Sequence, residues 1–372
     1  MRSERADDLQ MSVLKSTANR ELLAASDAAP SDWGALARYL SAQGMSFDPT
    51  ESAHQFAGGL ANRNYLLTIN GQPTVFRRPP DGELPPGAHD MAREHRILSC
   101  LSHALSFVPK SLHYCGDKGV IGVPFQLIEY RPGLVVRGAD MSLLQSCANA
   151  SAILSETLVS TLAALHAVDA RAVGLDGLGR PQGFVARAIA GWSKRGALVV
   201  GDTGARKLVD DISGWLARQR FRERPPTILH CDFKLDNLIL DPATLAPVAL
   251  VDWDMGTRGD PLFDLATLLS YWVEPDDPAA LLQLKQMPTS LPGFWRRDDV
   301  AKRYAALTGI DLDGLPAMRV LALFKLGVVF LQLHRQFLNG AVNDARYADF
   351  AHVGEALLLL AKDIASGSTK GI

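Results

Sequence analysis

One stretch of this chain limits what it can fold into more than any other. It reads Leu229-His230-Cys231-Asp232-Phe233-Lys234-Leu235-Asp236-Asn237-Leu238-Ile239-Leu240-Asp241, then, past a turn at Asp241-Pro242, Val248-Ala249-Leu250-Val251-Asp252-Trp253-Asp254. Short apolar runs on either side of a turn predict two strands in a hairpin that presents acids at its ends. Asp232 and Asn237 fall on the loop before the first strand, and Asp252 closes the second. Asp-x4-Asn with an Asp fifteen residues further on suits phosphoryl transfer: one Asp meets the attacking hydroxyl, while the Asn and the second Asp hold Mg²⁺ against the phosphates. One carboxylate and one amide make a small oxygen set, which fits a cation that keeps waters and phosphate oxygens in its shell. Alone, Asp232 reads equally well as a turn residue; its spacing to Asn237, Asp252 and Asp260 is what singles it out.

The flanking pattern divides the chain. Residues 1–30 are polar and weakly patterned and read as a leader. Ser31 and Asp32 can cap a helix running to Tyr39. Tyr65 to Ile69 and Thr74 to Arg77 alternate as strands about Asn70-Gly71, a hairpin signal. Met91 to Leu101 reads as a helix whose apolar face also carries Glu94; an inward carboxylate calls for a cationic partner. Val123 to Tyr130 is a further strand, and Arg131-Pro132-Gly133 reads as a hinge. Beyond it, Leu154, Leu158, Leu162 and Leu165 form a helical stripe, and helices dominate from Asp264 onward. The division expected is 31–130 as a sheet-rich lobe and 131–372 as a mainly helical one, an α+β fold. A length of 372 residues is consistent with two such bodies.

Composition excludes several classes. A formal net charge of −2, from 38 Lys and Arg against 40 acids, gives no general attraction to nucleic acid or an anionic membrane. No uninterrupted apolar run reaches a membrane span, and Leu321 to Leu333 is interrupted by Lys325, so it reads as a buried helix. The start, MRSERADDLQ, lacks the apolar core of a signal peptide. The four cysteines, at spacings of 15, 32 and 84, match neither a zinc pattern nor a disulfide framework, so a reducing cytoplasm is the expected home. The residues leave oligomeric state open.

His230-Cys231-Asp232-x4-Asn237, Asp252-Trp253-Asp254 and Gly259-Asp260-Pro261-x2-Asp264-Leu265-Ala266 together resemble the aminoglycoside phosphotransferase-like kinases. The match is nearest to the branch that includes the kinase-like domain of some acyl-CoA dehydrogenases, and it runs from about Trp33 to about Phe350. The resemblance implies a two-lobed protein-kinase-like fold and an ATP- and Mg²⁺-dependent phosphotransferase acting on a hydroxyl of a small molecule, with GTP left open as donor. It implies Asp232 as the catalytic aspartate and Asn237 and Asp252 as magnesium ligands. It implies a nucleotide site made by the turn Gly58-Gly59-Leu60-Ala61-Asn62, by Arg77 with its helix partner Glu94, and by the segment Ile128-Glu129-Tyr130. Three departures stand out. The glycine turn is shorter than a protein kinase's G-x-G-x-x-G, which leaves the choice between ATP and GTP open. Position 77 is Arg where most kinases have Lys, with Arg78 a neighbouring competitor, although period two keeps Val75 and Arg77 on one strand face. Cys231 replaces a usual Gly, and reads as a tolerated small side chain.

Bland readings apply nearby. His230 reads as an orienting residue that could hydrogen-bond Asp264, His166 as a satisfied buried histidine, and Asp236 and Asp241 as solvated or turn-forming. Trp272, Phe294, Trp295 and Tyr304 read as core by default. Residues 281–346 hold nine Lys and Arg against five acids. That balance does not suit a polycationic acceptor and does suit an anionic one such as a phosphate-bearing thioester; charges that simply coat solvent-facing helices explain it as well. The resemblance to the dehydrogenase-associated branch implies a hydroxyacyl-CoA or similar hydroxylated acid. The alternatives are an antibiotic phosphotransferase, for aminoglycosides or macrolides, and a non-catalytic nucleotide-binding pseudokinase.

Overall fold

The computed structural model describes residues 23, 31–51, 53–57, 62–80, 89–138, 140–144, 147–201, 205–284, 286–340 and 345–372. These form two compact units, each described in turn. The architecture is α+β: a small antiparallel-sheet lobe and a larger helical lobe.

The first unit draws on Met1–Val135, Arg171–Leu175 and Asn237–Gly256. Helix α1, Trp33–Ala42, starts where Asp32 accepts a hydrogen bond from the Ala35 amide at 2.8 Å, which satisfies one of the free N–H groups of the first turn. Five strands follow: β1 His54–Gln55, β2 Arg63–Ile69, β3 Gln72–Arg78, β4 Ser111–Cys115 and β5 Phe125–Glu129. They form one antiparallel sheet in the order β1-β2-β3-β5-β4. The β2–β3 turn is Asn70-Gly71, both with positive φ (51° and 73°), the twist that a two-residue hairpin needs. Alternate inward residues Tyr65, Leu67, Ile69 and Phe76 meet Leu36 and Leu40 of α1 and Phe125 and Leu127 of β5 in one core. Trp33 caps it, edge-on to Tyr65, Phe76 and Phe47. Strand β4 has no counterpart in the sequence reading; Ser111 to Cys115 lacks a clean apolar alternation, and its edge position demands none.

Helix α2, Met91–Leu101, lies in the same unit and is capped by Asp90. The hairpin of β7 Leu238–Leu240 and β8 Pro247–Leu250 belongs here too. Leu134 and Leu240 exchange backbone hydrogen bonds at 2.7 and 2.9 Å, and the Leu250 amide donates to Phe107 O at 2.7 Å. This corrects the hinge reading of residues 131–133. A Cβ on Gly133 would come within 2.5 Å of the Ile239 side chain and 2.7 Å of Leu240 O. The glycine is there for close approach, and Arg131 ties the segment down by donating to Ser106 O and Val248 O.

The second unit, Val136–Ala170, Asp176–Asp236 and Thr257–Ile372, is mainly helical. Its helices are α3 Ala150–His166, α4 Phe184–Val200, α5 Ala205–Arg218, α6 Leu262–Tyr271, α7 Ala279–Leu284, α8 Arg297–Thr308, α9 Leu315–Leu338 and α10 Phe350–Ala365. A small antiparallel pair, β6 Thr227–Leu229 and β9 Thr257–Gly259, carries the motif loop. Helix α9 packs most extensively on α10 and α6. It is long and apolar enough to cross a membrane by length and composition, with mean hydropathy 1.6 over its most apolar window, yet 78% of that window is buried inside the protein. A helix apolar all round is what a central core position requires. All four cysteines are free.

Candidate active site

Strand β6 delivers the chain into the loop His230-Cys231-Asp232, and α6 holds that loop. The Asp264 carboxylate accepts from the His230 amide at 2.6 Å and from the Cys231 amide at 2.8 Å. Two amides beside an apolar strand would otherwise be orphaned, and a buried carboxylate is the strongest acceptor for them. The expected contact between His230 and Asp264 therefore runs through the backbone N–H, while the His230 ring Nδ1 accepts from the Asp232 amide at 3.3 Å. His166 is the buried histidine expected: Nε2 lies 3.4 Å from Asp264 Oδ2 and Nδ1 lies 2.6 Å from the Tyr304 hydroxyl. Tyr304 and Trp272 are core, the latter donating from its indole to Trp295 O.

Asp232 presents its carboxylate to a hydroxyl and an ammonium from this unit. Tyr271, at the end of α6, donates its hydroxyl to Oδ1 at 2.7 Å, and the Lys234 ammonium stands 3.0 Å from Oδ2. Burial pushes the Asp232 carboxyl up, but Lys234, Lys325 and the Tyr271 hydrogen bond outweigh it and hold it below the usual carboxylate value. The folded-state value being depressed, Asp232 contributes stability above its unfolded value of 3.8, and that contribution is lost as pH falls through the folded value. At neutral pH it is an anion, the form that accepts a proton. Lys234 lies over the Tyr271 ring, 4.9 Å from its centroid, and within 3.9 Å of Asp236. Asp236 is thus neither solvated nor idle. It sits in a single 3-10 turn, Leu235–Asn237, with its carboxyl pushed up by burial. Asp241 is turn-forming as expected, accepting from Ala243, Thr244 and the Thr244 hydroxyl.

Cys231 has φ of +67°, the left-handed region where a side chain costs about 1 to 2 kcal/mol. That explains why a glycine suits the position. Cys231→Gly removes the strain and a small buried side chain together, so the folding free energy should move by no more than about 1 kcal/mol and activity should be kept. Urea unfolding checks the first and steady-state turnover the second. A loss beyond about 2 kcal/mol would show that the thiol itself supports the loop.

In the first unit, the β7–β8 hairpin brings Asn237 and Asp252 together: the Val251 amide donates to the Asn237 carbonyl at 3.0 Å. Asp252 also has positive φ, +70°. Arg77 donates through Nη2 to Asp252 Oδ1, through Nε to Glu94 Oε2 at 2.8 Å and through Nη1 to Asn64 Oδ1 at 3.2 Å. Arg77 is therefore the arginine that takes the inward glutamate. Glu94 does more than pair. It accepts from Gln126 Nε2 at 2.7 Å and from the Trp253 amide at 3.2 Å, so it grips the residue next to Asp252. Burial and the Asp252 carboxylate push Glu94 upward against the pull of Arg77, whose own value is raised by both acids despite its burial.

Other parts of this unit converge on the same loop. Asn62 donates to Asp254 Oδ2 at 3.4 Å and accepts from His89 Nδ1 at 2.9 Å, and Arg93 donates to Asp254 O at 3.0 Å. His89 and Arg93 were not singled out in the sequence; the first lies in a Pro/Gly loop and the second on a charged helix face. Burial and Arg77 lower the His89 value. Glu129, the last residue of β5, accepts from the Lys110 amide and from Arg131, each at 2.9 Å, and gives its own N–H to Lys110 O. Tyr130 stacks on Phe56 at 6.4 Å between ring centroids. Gly58, Gly59, Leu60 and Ala61 lie outside the described residues.

The chemistry of the donor set suits Mg²⁺. Asn237 and Asp252 offer one amide and one carboxylate, and no cluster of three or more His, Cys, Asp or Glu able to hold a metal occurs among the described residues. Such a pair cannot encage a cation, but it matches one that fills its octahedron with waters and phosphate oxygens.

A model of the phosphotransferase enzyme family matches residues 52–299, about two-thirds of the chain and all of the motif residues above. The chain belongs to this family. Among its relatives is acyl-CoA dehydrogenase family member 11 of Gallus gallus, 29% identical over 342 residues, covering 88% of this chain and 42% of the relative. The chain spans 29% to 42% of the length of the first curated relatives it matches. Among solved structures, a protein of Ralstonia eutropha provisionally named an aminoglycoside phosphotransferase superposes with TM-score 0.72 at 22% identity, over 91% of this chain and 99% of that one. A thermostable mutant of aminoglycoside phosphotransferase APH(4)-Ia, in ternary complex with ADP and hygromycin B, gives TM-score 0.56 at 15% identity, over 90% and 100%. At these identities the structural likeness is one of fold.

Proposed function

We propose that this phosphotransferase moves the γ-phosphoryl group of ATP to a hydroxyl of a small molecule. The observation that carries the reading is the Asp232 carboxylate, held by Tyr271 and Lys234 on a loop whose amides are pinned by Asp264. A half-buried, oriented carboxylate is what a hydroxyl needs when it attacks a phosphorus centre: it lines up the O–H and takes the proton as the bond forms. Asn237 and Asp252 would hold Mg²⁺, which supplies charge neutralisation for the phosphates when bound. Arg77, held by Glu94, offers a fixed guanidinium to phosphate oxygens, and a planar fork suits that contact as well as a lysine does. Support for ATP as the donor comes from the ADP complex of the APH(4)-Ia relative by fold.

The acceptor is a separate matter. Several of the described cations over 281–346 have partners of their own. Arg297 pairs with Asp277 and Glu274, Arg296 with Asp276 and Glu274, Arg303 with Glu156, while Arg319 and Lys325 donate to the carbonyls of Gly371 and Cys231. The charge balance therefore no longer argues for an anionic acceptor. The kinship with acyl-CoA dehydrogenase family members does favour a hydroxyacyl thioester, and that is the acceptor class proposed. The test compares kcat/KM with Mg²⁺-ATP for hydroxyacyl-CoAs, aminoglycosides, macrolides, choline and sugars. Preference for a hydroxyacyl-CoA supports the assignment; preference for an antibiotic overturns it and leaves the kinase reading in place.

A further inference from the structure

Lys325 is a buried ammonium, 6% exposed, in the middle of the apolar helix α9. Its Nζ donates to the Cys231 carbonyl oxygen and lies 5.6 Å from the centroid of the Phe263 ring. A lysine in such surroundings is costly unless a strong acceptor meets it, and here the acceptor is the peptide that leads into Asp232. The two peptide units just before it are gripped by Asp264, which takes the amides of His230 and Cys231. An anion on the N–H groups and a cation on the C=O fix the loop's dipoles in one orientation.

We infer that Lys325 is a positioning residue for phosphoryl transfer: by clamping the Cys231 carbonyl and placing a fixed positive charge behind the loop, it aligns Asp232 and keeps it anionic. The inference rests on the function proposed above. It makes Lys325 a structural partner of the loop that carries Asp232. The charged and titratable groups facing Asp232 are Lys234, Lys325, Tyr271 and Asp236. Lys234 is the larger of the two cationic influences and Lys325 the second, both opposing burial. Taking Lys325 away removes one of the cations that oppose burial and Asp236, so the Asp232 carboxyl rises.

Three variants separate the two roles. Lys325→Gln keeps a donor for the Cys231 carbonyl and removes the charge; Lys325→Met removes both; Lys325→Arg keeps both. For Met, kcat should fall by about tenfold or more with the KM for ATP unchanged, because alignment of the base is lost and nucleotide binding is not. For Gln and Met, the ratio of variant to wild-type kcat/KM should decline as pH is lowered from about 7.5 to about 4.5, since more of Asp232 is protonated in the variants. For Arg the ratio should stay flat and kcat close to wild type. A readout independent of turnover is the Asp232 carboxyl carbon resonance, whose titration midpoint should move upward in the Gln variant and stay in place in the Arg variant. A flat ratio and an unmoved midpoint in folded Lys325→Gln overturn the inference. So does an Arg variant that loses more activity than Gln. Should Met not fold, Gln and Arg carry the test. Absence of transfer by wild type would count against the proposed function, whereas the carboxyl titration would still decide the role of Lys325.

Discussion

Replacing Asp232 by asparagine is expected to lower kcat by about 10³-fold, the scale on which a positioned base contributes to proton transfer, while nucleotide affinity stays near that of wild type. The amide cannot take a proton from the acceptor hydroxyl. It also turns an NH2 toward either the Tyr271 hydroxyl or the Lys234 ammonium, both of which now bond carboxylate oxygens. One of those donors loses its acceptor, so folding stability should drop by about 1 to 3 kcal/mol as well. The two effects are separated by measuring turnover well below the variant's melting temperature and nucleotide binding by calorimetry. Turnover within a few-fold of wild type in the folded variant would remove Asp232 from the base role.

The second large effect belongs to the buried ion pair. Glu94→Ala leaves the Arg77 guanidinium, buried beneath the sheet, with Asp252 and Asn64 only, and releases the Trp253 amide and Gln126. Removing one partner of a buried pair costs about 3 to 5 kcal/mol, because the remaining charge stays desolvated. Arg77→Ala should be comparably damaging for the mirror reason. The double variant should therefore be less destabilised than the sum of the singles, with a coupling of about 1 to 3 kcal/mol. Urea unfolding of the four proteins reads this directly; strictly additive free energies would mean that the pair does not act as a unit.

Much of this was legible in the sequence, for identifiable reasons. The hairpin that sets Asn237 beside Asp252 is written in two short apolar runs and a turn. Glu94 announces itself by standing on the apolar face of α2, a position that only a buried cation can justify, and Arg77 shares the strand face of Val75, opposite that of Phe76. What was not legible depended on long-range contact. Tyr271 looks like the last residue of an apolar helix, and nothing local says that its hydroxyl reaches back 39 positions to Asp232. Lys234 is one more charge in a polar loop until its two carboxylate neighbours are seen. The cationic bias of residues 281–346 misled for the same reason. Counting charges along the chain cannot show that Glu156, Glu274, Asp276 and Asp277, outside that window, pair with three of its guanidinium groups, those of Arg296, Arg297 and Arg303. Glycine at 133 invited a hinge reading, whereas the packed structure uses its missing Cβ to admit Ile239 and Leu240.

The most direct test of the central claim is mass analysis of a hydroxylated acceptor panel after incubation with Mg²⁺-ATP and the wild-type chain, with ADP quantified in the same reaction. The account predicts that one acceptor class gains a single phosphoryl group, that ADP appears in equal amount, and that both signals vanish when Mg²⁺ is chelated. Tight Mg²⁺-nucleotide binding with no phosphorylated product, and no ADP above the rate of spontaneous hydrolysis across the panel, would contradict it and make the chain a nucleotide-binding pseudokinase.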